Sequence, residues 1–192
     1  MGQSQVADII ARARDGDADA WGQLYSLYAP AIYRFCRRAL PTQEDAEDAT
    51  MEIFAKLREK LTQYDPVRPF QSWLYKVAAN HCWDFLRRRT GRQDREAPLL
   101  EEMPHQAIDS DQLARLIEAQ GAAQVRAALS KLPPRSQMAL VLRYFAEMSY
   151  EEIADSLGVS RGAVGVVILR ARQQLREAMA GMAATQSSGG TL

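Results

Sequence analysis

Apolar residues recur at helical spacing along most of this chain, a pattern that predicts an all-α fold. Val6, Ile9, Ile10 and Ala13 fall on one side of a short helix over 5–15, which Gly16 ends. Asp17 or Asp19 can cap the next helix, which runs to about Leu40. Its stripe is Trp21, Leu24, Tyr25, Tyr28, Ile32, Phe35, Cys36 and Ala39, and Pro30 should kink it. Thr42, with Asp45 three residues on, gives a box-like start to a helix over 43–61. Ala46, Ala49, Ile53, Leu57 and Leu61 form its inner face. A fourth helix starts near Pro69 and ends in three arginines. On it Phe70, Leu74, Val77, Ala78, His81 and Phe85 share a core side.

After Arg89 the periodicity fades. Gly91, Pro98, Pro104 and many charges mark residues 91–110 as a flexible linker, so a first small domain covers 1–90. A second begins with a helix over roughly 111–130, followed by Leu132-Pro133-Pro134 and a helix over about 134–147. Ser149 and Glu152 then make a capping box, Ile153, Ala154 and Leu157 line a two-turn helix, and Gly158 supplies the left-handed residue that ends it. Ser160 caps another helix with Val164, Ile168, Ala171 and Leu175 inward. A small Ala four residues before the turn Gly lets the two helices approach closely, so this is a helix-turn-helix. The second domain covers 111–180, and the small polar tail 181–192 is expected to be disordered.

Charge changes the picture. The chain has 24 basic and 24 acidic residues, net zero, whereas a protein that must hold DNA alone is usually basic. Any nucleic-acid affinity must come from local patches or from a partner. Such a patch lies on the fourth helix, where Trp73, Lys76, Asn80, Trp83 and Arg87 share a face away from the core side. Rings stack on unpaired bases, cations hold phosphates and an amide reads a base edge. On the third helix Glu44, Asp45, Glu47, Asp48 and Glu52 precede Lys56, Arg58 and Lys60. That order complements the helix dipole, and it also offers an acidic surface to a basic partner.

No apolar run is long enough to span a membrane and the N-terminus lacks a signal-peptide layout, so a cytoplasmic protein is expected. Cys36 and Cys82 match no zinc spacing, and no metal, cofactor or catalytic residue is expected. His81 and Cys82 are adjacent on one helix and point about 100° apart, a poor geometry for a paired site. A stand-alone helix-turn-helix regulator would explain 111–177 but leaves the acidic helix and the Trp73–Arg89 face without a task.

The ordered blocks together resemble the sigma-70 family of RNA polymerase sigma factors, in its extracytoplasmic-function (ECF) group. The matching residues are Leu24-Tyr25 through Phe35, Glu44 through Thr50, Tyr64-Asp65-Pro66, Pro69-Phe70, Ser72 through Tyr75, Ala79-Asn80, Asp84, Leu86 and Arg87 through Arg89. In the second half they are Leu132-Pro133, Tyr150, Glu152-Ile153-Ala154, Leu157 through Ser160, Gly162, Val164 and Arg170-Ala171-Arg172. The resemblance implies a non-enzymatic protein that takes core RNA polymerase to promoter DNA. By it, Glu44, Asp45, Asp48 and Glu52, with Phe54 and Leu57, dock on the clamp of the β′ subunit. Trp73, Tyr75, Lys76, Asn80, Trp83, Arg87, Arg88 and Arg89 engage and open the −10 element. The second domain sits on the β flap and reads the −35 element with Ser160, Arg161, Gly162, Gly165, Val166, Leu169, Arg170, Arg172 and Arg176. An anti-sigma factor or other regulatory protein is the implied inhibitor.

The chain departs from the family pattern in the last helix. Gly165-Val166-Val167 and then Leu169 stand where polar or basic residues are usual. An outward valine and leucine can touch thymine methyls but cannot hydrogen-bond base edges. A weaker or more shape-dependent −35 readout is expected, or contact of this apolar face with a protein.

Overall fold

The computed structural model describes residues 3–90 and 122–188. Among them are eight α-helices. The first four are α1 (Gln3–Arg14), α2 (Ala18–Ala39), α3 (Gln43–Lys60) and α4 (Phe70–Thr90), with a 3-10 turn at Leu61–Gln63 before α4. The second four are α5 (Ala122–Leu129), α6 (Pro134–Tyr144), α7 (Tyr150–Leu157) and α8 (Arg161–Ser188). The expected linker over 91–110, the start of the helix expected from 111 and residues 189–192 lie outside the described residues.

Local signals set the helix starts. The Asp17 carboxylate accepts the backbone N–H groups of Asp19 and Ala20 at 2.9 and 3.1 Å and also the Arg12 guanidinium, which ties the end of α1 to the start of α2. The bond from the Ala20 N–H and that from Arg12 hold this carboxyl below its ordinary range. Thr42 and Asp45 close a reciprocal capping box on α3, and Ser149 and Glu152 close another on α7. Pro30 removes one backbone donor, yet α2 continues through it. Buried Ala29 and Ile32 on either side keep both halves against the core.

Side chains from α2, α3 and α4 interlock through Leu24, Ile32, Phe35, Ile53, Leu57 and Leu74, all nearly inaccessible to solvent. Leu129, Met138, Leu140, Leu142 and Ile153 do the same for α5, α6 and α7. The two groups then join. Helices α2 and α4 pack on α6, α4 also packs on α7, and the buried apolar side chains form one continuous cluster. At the seam the Gln137 amide donates to the Ala39 carbonyl at 2.9 Å, out of contact with water. The Arg38 guanidinium lies 4.4 Å from the Phe145 ring centre, and that of Arg135 lies 5.6 Å from Trp83.

Two ends differ from expectation. Helix α6 stops at Tyr144, and the left-handed φ of 54° at Glu147 turns the chain toward α7. Helix α8 runs through Gly181 to Ser188, where a disordered tail is expected from residue 181. Buried Met179 and half-buried Met182 extend the stripe of Ile168 and Leu175, so the helix retains a face to bury beyond its arginines.

Candidate functional site

The helix-turn-helix is built by α7 and α8. Gly158 sits at φ 64°, ψ 38°, and its N–H returns to the Ala154 carbonyl. Ser160 accepts the N–H of Ala163 at 3.2 Å and so starts α8. Val164, Ile168, Ala171 and Leu175 face the core. Ser160, Arg161, Arg170 and Arg176 are exposed, and Gly162, Gly165, Val166 and Leu169 are partly exposed on the outer side. Arg172 is placed differently from the expectation of a DNA-backbone contact. It is 5% exposed and lies in the field of Tyr144. Four residues after Ile168 and three before Leu175, it shares the inward row, a relation already readable in the numbering.

On α4, Asn80, Arg87, Arg88 and Arg89 are exposed, while Trp73, Lys76 and Trp83 are half-buried. Tyr75 is not on this face. It is buried, its ring centre 5.4 Å from that of Phe35 on α2. Tyr75, Ala79, Cys82 and Leu86 make a second buried row beside the expected one, so roughly half of the helix circumference is covered. Trp73 is held by Tyr64 at 5.2 Å and Phe70 at 5.8 Å between ring centres. Arg89 pairs with Asp45 at 3.3 Å, linking the end of α4 to the start of α3.

On α3 the outer face carries Glu44, Asp48 and Glu52, all exposed, with Met51 at 59% exposure among them. Asp45 is half-buried and committed to its cap and to Arg89. Phe54 and Leu57, expected at the docking surface, lie in the core instead. Tyr25 covers Phe54 with ring centres 4.8 Å apart and is itself 41% exposed. Tyr25 and Met51 are thus apolar groups beside the acidic row that the stripe pattern had assigned to the core or passed over. The signal for Met51 was its place between Asp48 and Glu52 on an outward arc.

Behind this face His81 is buried. The Lys56 ammonium donates to its Nδ1 at 2.9 Å, and Glu52 lies 3.7 Å from Nε2. Burial and then Lys56 push the imidazole below its ordinary 6.5, with Arg88 adding to this and Glu52 and Asp84 opposing it. The unfolded chain therefore takes up this proton first, and stability is intact above pH about 6.5 and falls as pH drops below it. The unfolding free energy from urea titration is expected to decline from pH 7 toward 5.5, by at most about 1.4 kcal/mol per pH unit for one proton. Urea titrations of His81→Gln check this, since that variant should show a flatter profile. Nearby, the Cys36 and Cys82 sulfur atoms lie 3.8 Å apart as buried free thiols, and the bond to Cys36 together with burial pushes the Cys82 thiol well up.

The site is therefore three surfaces on a helical frame: an acidic row, a cationic and aromatic row, and a helix-turn-helix. Known proteins resemble this chain in sequence and in fold. Residues 24–92 match the family Sigma-70 region 2, and residues 122–175 match Sigma-70, region 4. The chain is 36% identical to the ECF RNA polymerase sigma factor SigE of Mycolicibacterium smegmatis, over 84% of this chain and 62% of that longer protein. It is 32% identical to the ECF RNA polymerase sigma factor SigD of Mycobacterium tuberculosis, over 88% of this chain and 81% of the relative. The solved structure of CnrH in complex with the cytosolic domain of CnrY superposes with a TM-score of 0.63 at 28% identity, covering 90% of this chain and 96% of CnrH. An acidic helix, a DNA-suited helix and a helix-turn-helix, in the order in which both family regions match, place the chain in the sigma-70 family of RNA polymerase sigma factors, in the ECF group.

Proposed function

We propose that this sigma factor, which directs RNA polymerase to specific promoters and performs no catalysis itself, divides the work among its three surfaces. The acidic row of α3, through Glu44, Asp48 and Glu52 with Met51 and Tyr25, docks on the β′ clamp. The row of α4, through Trp73, Lys76, Asn80, Trp83 and the arginines 87–89, holds the −10 element as its strands separate. Tyr75, Phe54 and Leu57 serve from beneath, by fixing these helices on α2. Helix α8 enters the major groove at −35 with Arg161, Arg170 and Arg176 on phosphates and Val166 and Leu169 against thymine methyls. The second module rests on the β flap.

One observation carries the reading: a net charge of zero beside two DNA-suited surfaces. Unstacking DNA costs a few kcal/mol per step. A neutral chain gains little from phosphates by itself, whereas two modules held on polymerase act at high effective concentration. The same reading puts the protein in the cytoplasm beside polymerase and DNA. Among the described residues no helix is long and apolar enough to cross a membrane. The CnrH relative is solved with the cytosolic domain of CnrY, and a regulatory protein of the anti-sigma kind is the partner proposed for this chain.

Reconstitution with bacterial core polymerase tests this. Defined start sites are expected from the holoenzyme, together with weak duplex binding by the chain alone. Failure to co-elute with the ββ′ assembly would reject it.

A further inference from the structure

Two thiols that the promoter work leaves unused meet inside the first module. Cys36 lies in the last turn of α2 and Cys82 midway along α4, and both are wholly enclosed. Their sulfur atoms are 3.8 Å apart although the residues stand 46 positions apart in the chain. Small neighbours make this approach possible. Ala39 stands one turn after Cys36, Ala78 and Ala79 one turn before Cys82, and all three are buried, so the two helix backbones come close. The sulfurs need to move only about 1.8 Å closer to reach the ~2.05 Å of a disulfide bond. The two thiols are not equivalent. The hydrogen bond with Cys82, helped by the Thr50 hydroxyl, outweighs burial and holds the Cys36 thiol below its ordinary range. The same bond and burial push the Cys82 thiol well up. Cys36 is therefore the first of the pair to ionise, and the thiolate is the form that attacks an oxidant.

We propose that Cys36 and Cys82 form an oxidative modification site, a clasp that a hydroperoxide closes into a disulfide between α2 and α4. The Cys36 thiolate attacks one oxygen of the peroxide. An S–O bond forms, the O–O bond breaks, and the hydroxide or alkoxide released takes up a proton. The Cys82 thiol then gives up its proton, and its sulfur attacks the sulfenic sulfur of Cys36. The S–S bond forms and hydroxide leaves as water. Two thiols and one hydrogen peroxide thus become one disulfide and two waters, the two electrons passing from sulfur to the peroxide oxygens. Both sulfurs are shut off from solvent, so peroxide reaches them when the end of α2 opens locally, and the reaction is slow beside that of an exposed thiolate. The bond closes a loop that contains all of α3. It restrains the unfolded chain more than the folded one, and so fastens the frame on which the acidic and cationic rows stand. The outer row of α4 is left as it was, because Cys82 lies on the buried side with Ala79 and Leu86.

The test exposes the full folded chain to hydrogen peroxide, blocks the remaining thiols with iodoacetamide and digests without reductant. A pair of peptides joined through Cys36 and Cys82 is expected, two hydrogens lighter than its separate parts. The oxidised chain should melt at least about 5 °C above the reduced one, and dithiothreitol should reverse both readings. Single variants give the order of attack. Cys82→Ala should leave a sulfenic acid on Cys36 that dimedone traps, whereas Cys36→Ala should leave Cys82 unlabelled. Met51, at 59% exposure, gauges the oxidant delivered, since its thioether becomes the sulfoxide. Two free thiols in a chain whose Met51 is already oxidised would overturn the clasp. So would a linked chain that melts no higher than the reduced one. Dimedone on Cys82 rather than on Cys36 would overturn the proposed order of attack.

Discussion

Reversing two charges on α3, Glu44→Lys together with Asp48→Lys, is expected to lower affinity for core polymerase by at least about 100-fold. Losing one partner of a hydrogen-bonded interfacial charge pair costs about 2–5 kcal/mol, and reversal adds repulsion to that loss. Both carboxylates are exposed, so no core contact is removed with them. The cost to the fold is small: Glu44 alone of the two lies in the first turn of the helix, where an acidic group is worth about 0.3–1 kcal/mol against the dipole. Fluorescence titration against core enzyme at two salt concentrations measures the effect. The parent should weaken with salt, and the variant should weaken far less or gain, because salt also screens the repulsion that the two lysines introduce. Unchanged affinity in a folded variant would remove α3 from the polymerase contact. Phe54→Ala would also weaken binding, but by loosening α3 from Tyr25 and Trp21, and its unfolding transition would shift as well.

The largest loss of stability from one substitution is expected at Phe35→Ala, about 3–5 kcal/mol. Phe35 is among the largest fully enclosed side chains and touches Tyr75 on α4 from one turn before the end of α2. A domain's total is only about 5–15 kcal/mol, so this cavity removes a large share of it. Phe35→Leu keeps most of the volume and should cost well under half as much. Urea denaturation checks both values and one thing more. Trp21, Trp73 and Trp83 all lie in the first module, so their fluorescence reports on it, while circular dichroism reports on every helix. The joined core of the two modules predicts coincident transitions by the two probes, both displaced together in Phe35→Ala.

Much of this was readable before any coordinates. Helix starts were legible because a capping group and its N–H donors are only a few residues apart, as at Thr42, Ser149 and Ser160. The turn at Gly158 was legible because a left-handed residue between two short helices favours glycine. The acidic and cationic rows were legible because like side chains three and four positions apart must share a face. Errors arose where one helix buries two rows. Tyr75 sits beside the obvious stripe, and a single apolar row cannot say how wide the covered arc is, whereas Arg172 continues the inward row of α8 and was set apart by its charge. Phe54 and Leu57 were assigned outward roles by resemblance, though Leu57 already stood in the inner stripe.

Local chemistry therefore specified the helices, their caps, the helix-turn-helix and the sign of each surface, because those depend on groups within one or two turns of each other. Which parts of those surfaces meet water was a matter for the packing of distant segments. The contacts of Asp155 with Lys76 and of Gln137 with Ala39 span 79 and 98 residues of chain. No periodicity encodes such a meeting, since it follows from how two apolar faces share one core. That shared burial is what brought the Asp155 carboxylate to Lys76 on an otherwise open row.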